Sequence, residues 1–144
     1  MSLVIPIANN VDVSGTELSI PLLVESVKAG FPSPAQDYID QTLSLNDLCI
    51  KHPSATYFVR VDGDSMEGAG IHKGDVLVVD RSLTAHHDDV VIASVSGEMT
   101  VKTLHLKPRV RLMPHNRRYA PIEIKEGEEL VIFGVVVSVV RVLK

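Results

Sequence analysis

From Ala55 onward, apolar residues fall into short blocks that alternate with polar ones or run unbroken for four to eight positions. This pattern predicts strands at Thr56–Val61, Val76–Val79, Val90–Val95, Met99–Leu106, Val110–Met113 and Leu130–Leu143. The blocks are rich in valine and isoleucine, whose branched side chains suit a pleated, half-buried surface. Turns rich in Gly, Pro and Asp separate them at the short spacing of a barrel or sandwich. Val95-Ser96-Gly97-Glu98 reads as a tight hairpin joining two strands antiparallel.

The first part of the chain is patterned differently. Apolar groups such as Val4-Ile5 and Leu22-Leu23-Val24 are separated by turn-rich pieces with no sustained helical period. Short strands or an extended arm fit that pattern. A breaker cluster, Lys28-Ala29-Gly30-Phe31-Pro32-Ser33-Pro34, favours extended chain. Ser33 as N-cap, Pro34 at the first helical position and Gln36 at the third predict a helix from about Pro34 to Gln41. Ser44-Leu45-Asn46-Asp47 repeats the capping pattern for a second short turn that ends before Pro53. The expected fold is mainly β, with residues 1–44 an N-terminal arm carrying a small helical hinge and residues 45–144 the body.

Composition refines this picture. A chain of 144 residues has room for one compact domain and an appendage. Three Tyr, three Phe and no Trp leave the core to Val, Leu and Ile. The lone cysteine, Cys49, excludes an internal disulfide and sits between Leu48 and Ile50, as a small core residue does. No run reaches the roughly 18 apolar residues of a membrane helix. The segment Leu130–Leu143 is interrupted by Gly134, Ser138 and Arg141, and Met1–Pro6 lacks the basic start of a signal peptide. A cytoplasmic protein away from the membrane is expected.

Charge is unevenly placed. Residues 1–50 carry six acids and one base, whereas residues 51–144 carry 13 bases and 12 acids. A basic nucleic-acid footprint is missing. The one local cluster, Lys107 to Arg118 with five bases, reads as a solvated strand pair, so no direct sequence-specific DNA binding is expected.

The candidate chemistry centres on Ser65, in the turn Asp62-Gly63-Asp64-Ser65-Met66, and Lys102, on the strand 37 residues later. Taken alone, Ser65 is an ordinary turn serine and Lys102 an ordinary edge-strand lysine. As a pair they fit acyl transfer, in which a neutral lysine takes the serine proton. A lysine of ordinary pKa is neutral only about 0.04% of the time at pH 7. A working base therefore needs burial that lowers its pKa by roughly three units. Alternation places Lys102 with Thr100, Leu104 and Leu106, but Met99 and Val101 make the opposite face apolar as well. The pattern leaves the orientation open. His86-His87-Asp88-Asp89 reads as a polar loop, with no spaced third metal-ligand set; no metal and no cofactor are expected. His72, His105 and His115 show no triad context, and Asp62 and Asp64 read as turn formers.

Gly63-Asp64-Ser65-Met66, the following Gly70 to Asp75 and Thr100-Val101-Lys102 resemble the LexA/UmuD family of self-cleaving serine peptidases. The UmuD branch is the closer likeness. It extends through Gly30-Phe31-Pro32-Ser33-Pro34-Ala35, His52 to Phe58 and Val131 to Val137, covering about Leu22 to Leu143. The resemblance implies the β fold of that family's C-terminal domain, Ser65 as nucleophile and Lys102 as general base. It also implies an oxyanion hole from backbone N–H groups around Asp64 and Ser65, and self-cleavage at Ala29-Gly30. The implied partners are a second copy in a homodimer, a RecA filament on single-stranded DNA that assists the cut, and a UmuC-like Y-family polymerase for translesion synthesis in the SOS response. Rival readings are a LexA-like repressor, for which residues 1–44 are too short and irregular, a signal peptidase, which needs a membrane anchor, and a non-catalytic dimerisation module.

Overall fold

A computed structural model describes residues 3–8, 18, 20–23, 29 and 39–144. They form two compact units: residues 1–11 together with 52–144, and residues 12–51. The second boundary falls after Lys51, where the sequence reading divides the chain after residue 44.

The larger unit is one antiparallel sheet. Its strands are β1 (Leu3–Ala8), β4 (Thr56–Asp62), β5 (Val76–Asp80), β6 (Val90–Val95), β7 (Glu98–His105), β8 (Arg111–Met113), β9 (Ile122–Glu123) and β10 (Leu130–Val140). Their spatial order is β1-β4-β5-β10-β6-β7-β8-β9. The fold is mostly β, as the alternation predicts, and the six strands expected from Ala55 onward form within a few residues of their expected bounds. β9 has only two residues, too few for any alternation to mark it.

The β6–β7 hairpin closes through Ser96 and Gly97, both at positive φ (53° and 87°), the backbone a two-residue hairpin needs to match strand twist. β6 shows how the sheet is covered. It sends Ile92 into a core with Val59, Val61, Met66, Ile71, Leu77, Val79 and Val101, and Val91 and Ala93 into another with Leu104, Leu112 and Val135. β6 is therefore buried on both faces.

β10 ends at Val140 rather than Leu143 because Arg141 turns to Asp75. Its Nε and Nη2 donate to the two carboxylate oxygens at 2.7 and 2.6 Å, and Nη2 also reaches the Gly70 carbonyl at 3.0 Å. Asp75 is buried, and the Arg141 hydrogen bond holds its pKa below the usual range against the cost of desolvation. β10 passes so close to β5 at Gly134 that an added Cβ would lie 2.6 Å from Val79 Cγ1 and 3.2 Å from the Asp80 carbonyl. Gly134→Ala is expected to cost about 1–3 kcal/mol by overpacking, read as a lower urea midpoint at unchanged slope.

The smaller unit contains a two-stranded antiparallel ribbon, β2 (Ile20–Leu23) with β3 (Ile39–Leu43), followed by the helix α1 (Leu45–Cys49). Ser44 caps α1, its hydroxyl accepting from the Asp47 N–H, as the capping pattern predicts. The helix expected to reach Gln41 is corrected: residues 39–43 are strand, paired Leu23↔Ile39 through Ile20↔Leu43. A helix of eight residues is marginal in water, whereas a ladder partner satisfies the same backbone groups, and Ile39 and Thr42 are β-branched. Residues 34–38 of that expected helix lie outside the described residues. Cys49 is half-buried. No helix among the described residues is long and apolar enough to cross a membrane.

Candidate active site

β4 runs into a tight turn at Asp62. Gly63 adopts φ 108°, a region that side chains resist, and redirects the chain so that Ser65 and Met66 turn inward. Met66 packs into the first core, and a 3-10 turn over Glu67–Ala69 closes on Gly70, also at positive φ. The Ser65 side chain is fully buried.

Lys102 comes to this turn from the middle of β7. Its Nζ lies 3.0 Å from Ser65 Oγ, 2.6 Å from Thr100 Oγ1 and 3.2 Å from the Val101 carbonyl oxygen. Thr100 and Lys102 share a face, as strand alternation requires. Lys102 is 2% exposed, and burial alone lowers its pKa from 10.5 to about 8. Desolvation disfavours the ammonium, and among the described residues no carboxylate is positioned to restore it.

As an ammonium Lys102 donates to all three oxygens, and the same three contacts also fit a neutral amine. Such an amine has two N–H groups and one lone pair. The Val101 carbonyl can only accept, and Thr100 Oγ1 can accept as well. With both N–H groups spent there, the lone pair is left for the Ser65 hydroxyl proton. With a pKa of about 8, about a tenth of Lys102 is neutral at pH 7, against about 0.04% for an ordinary lysine. Chemically the pair can activate a serine oxygen for attack on a carbonyl without histidine.

A loop from Pro114 to Tyr119 backs the turn. The Asp64 carboxylate accepts from Tyr119 Oη at 2.5 Å and from the Arg118 guanidinium. These interactions, the tyrosine hydrogen bond foremost, hold Asp64 below the usual carboxylate range, while Asp64 pushes the Tyr119 hydroxyl up. The Asp64 carbonyl accepts from Asn116 Nδ2, and the Ser65 carbonyl from the His115 N–H. Sequence reasoning missed this loop. It assigned Lys107 to Arg118 to a solvated strand pair, which fits the exposed Arg109–Glu123 pair beside β8 and β9 but not Arg118, which is spent on Asp64. Asn116 and Asp64 are 52 residues apart, and no local pattern marks that pairing.

The remaining histidines sit elsewhere. His115 Nε2 meets Thr103 Oγ1 at 2.9 Å, not Ser65. The polar loop 86–89 gains a third member that the sequence reading did not find: His105 joins His87 and Asp88, with ligand-type atoms within 4.8 Å of one another. His87 Nδ1 accepts from the Leu106 N–H at 2.9 Å, and His105 Nδ1 faces the Arg111 guanidinium at 3.4 Å. Both partners can only donate, so each neutral ring carries its proton on Nε2, aimed at Asp88. That is the wrong tautomer for ligation through Nε2 and the right one for clamping a carboxylate. Asp62 lies 3.8 Å from Lys73 and takes no part in the Ser65 site. Ala29 is exposed, and Gly30 lies outside the described residues.

A buried serine and lysine brought together by an antiparallel sheet define a candidate serine-peptidase domain. Residues 21–137 match the model of the Peptidase S24-like family, and the chain belongs to that family. It is 54% identical over 119 residues to Protein MucA of Salmonella typhimurium, covering 82% of each chain. It is 50% identical over 121 residues to Protein SamA of Salmonella typhimurium strain LT2, covering 84% of each. It is 46% identical over 131 residues to Protein ImpA of Escherichia coli, covering 90% of each. The resemblance to the LexA/UmuD family drawn from the motifs thus holds over most of the chain.

Proposed function

We propose that the chain is a self-cleaving peptidase that cuts its own Ala29-Gly30 bond with Ser65 and Lys102. The observation that carries this reading is the 3.0 Å approach of Lys102 Nζ to Ser65 Oγ, in surroundings that bring the lysine pKa to about 8. Neutral Lys102 takes the Ser65 hydroxyl proton as Oγ attacks the Ala29 carbonyl carbon. Backbone N–H groups of Asp64 and Ser65 stabilise the resulting oxyanion. The Lys102 ammonium then returns the proton to the Gly30 nitrogen, which leaves. Water hydrolyses the Ala29 ester on Ser65, releasing residues 1–29 and 30–144. Small side chains on both sides of the bond let the substrate strand lie close to Ser65.

The family resemblance extends the proposal to the bacterial SOS response. A RecA filament on single-stranded DNA would favour the conformation in which the arm meets Ser65, an effect limited to its differential affinity for that conformation. The trimmed chain would serve a UmuC-like Y-family polymerase in translesion synthesis. The body has nearly balanced charge, which suits protein partners better than a phosphate backbone. Phe133, Val137, Val139 and Val140 leave β10 an exposed apolar stripe, which supports a homodimer.

The test uses purified chain at pH 7.4 with and without RecA, nucleotide and single-stranded DNA. The filament should speed appearance of the 30–144 fragment at least tenfold in wild type and produce none in Ser65→Ala. An unchanged rate would remove the filament from the proposal.

A further inference from the structure

We propose that Asn116 is a positioning residue for the reactive turn, holding the Asp64–Ser65 peptide so that the Ser65 N–H is directed to the oxyanion side. The inference rests on the peptidase reading above and names a residue that the proposed dyad does not include.

The geometry runs through one peptide plane. A trans peptide is planar, with its C=O and N–H pointing in opposite directions. Asn116 Nδ2 donates to the Asp64 carbonyl at 3.0 Å, the shorter of its two bonds beside the Glu67 N–H at 3.3 Å, and so helps set the direction of the Ser65 N–H on the other side of the same plane. The orientation of the Asn116 amide is itself fixed. Its Oδ1 accepts from the Arg118 N–H at 3.0 Å, so Nδ2 is the group facing Asp64. The next plane is held in the same way, since the His115 N–H donates to the Ser65 carbonyl at 2.8 Å. The turn answers with Gly68, whose N–H donates to the His115 carbonyl at 2.8 Å. A Cβ on Gly68 would lie 2.7 Å from that oxygen, so loop and turn are in direct backbone contact. Tyr119 and Arg118 hold the Asp64 carboxylate, which also meets its own backbone N–H, so the side chain before Ser65 is tied on both sides.

An oxyanion donor matters only if it is aimed before the charge forms, and loss of one such donor costs about 10²–10³ in rate. Asn116→Asp keeps the size and replaces the donor with an acceptor facing the Asp64 carbonyl. Two readouts on the full chain are compared with wild type: self-cleavage rate against pH, and labelling of Ser65 by a fluorophosphonate, whose phosphoryl oxygen needs the same N–H groups. We expect both plateau rates to fall at least tenfold while the pH midpoint stays at about 8, since Lys102 remains buried. Tyr119→Phe, a milder change, should lower both a few-fold with the same midpoint, and serves if Asn116→Asp fails to fold. Wild-type plateaus in these variants would overturn the proposal. So would a loss accompanied by a midpoint moving toward 10.5, which signals a disturbed lysine rather than a misdirected peptide. If wild type is labelled but never cuts its arm, the self-cleavage reading falls and the labelling rates still decide Asn116. If wild-type Ser65 is not labelled at all, both fall.

Discussion

The rate of self-cleavage should rise about tenfold per pH unit up to about pH 8 and level off above it, with a total gain near a hundredfold between pH 6 and pH 9. The slope follows from the fraction of neutral Lys102, the form whose lone pair takes the Ser65 proton. Burial lowers this pKa and no group among the described residues raises it, so the midpoint reports how well the site excludes water. Lys102→Arg should be inactive at every pH in this range, because a guanidinium is never neutral there. A flat profile, or one still climbing at pH 10, would show that the amine is not held as the geometry implies.

The second large effect concerns stability. Lys102→Met should abolish cleavage and yet raise the urea midpoint at pH 7. In the unfolded chain the lysine holds its proton up to 10.5, and in the folded chain only up to about 8. Between those values the unfolded chain binds more protons, so wild-type stability increases as pH rises through the window. Below about pH 8 the burial penalty is fully present, about 3 kcal/mol for the shift. Methionine removes it but takes the amine from Thr100 Oγ1, the Val101 carbonyl and Ser65 Oγ, at up to about 1 kcal/mol each. A net gain of at most about 1 kcal/mol remains at pH 7. Near pH 10.5 the wild-type penalty has vanished, and the variant should become the less stable of the two. Equal pH dependence of wild type and variant would contradict this account.

Much of the fold is written locally. Valine-rich blocks and glycine-marked turns locate the strands of the body, and Ser44 marks α1 by its cap. Residues 39–41 are strand rather than helix because a capping signal at Ser33 speaks only to local preference, while the pairing with β2 is a tertiary choice. The orientation of Lys102 was unreadable for a different reason. Thr100 through Leu104 are all buried, so β7 has no solvent face and alternation loses its meaning. The Ser65 and Lys102 candidates came from residue type and motif. Their 3.0 Å contact, the Asn116 bond to Asp64 and the arrival of His105 beside His87 all depend on strand order, which no window of sequence contains.

The central claim is that this chain is its own substrate, cut by Ser65. Intact mass spectrometry of purified wild type and Ser65→Ala after incubation at pH 9.5 tests it most directly. The account predicts residues 1–29 and 30–144 from wild type and only intact chain from Ser65→Ala. Intact wild type at that pH even with RecA filaments, or the same fragments from Ser65→Ala, would contradict it.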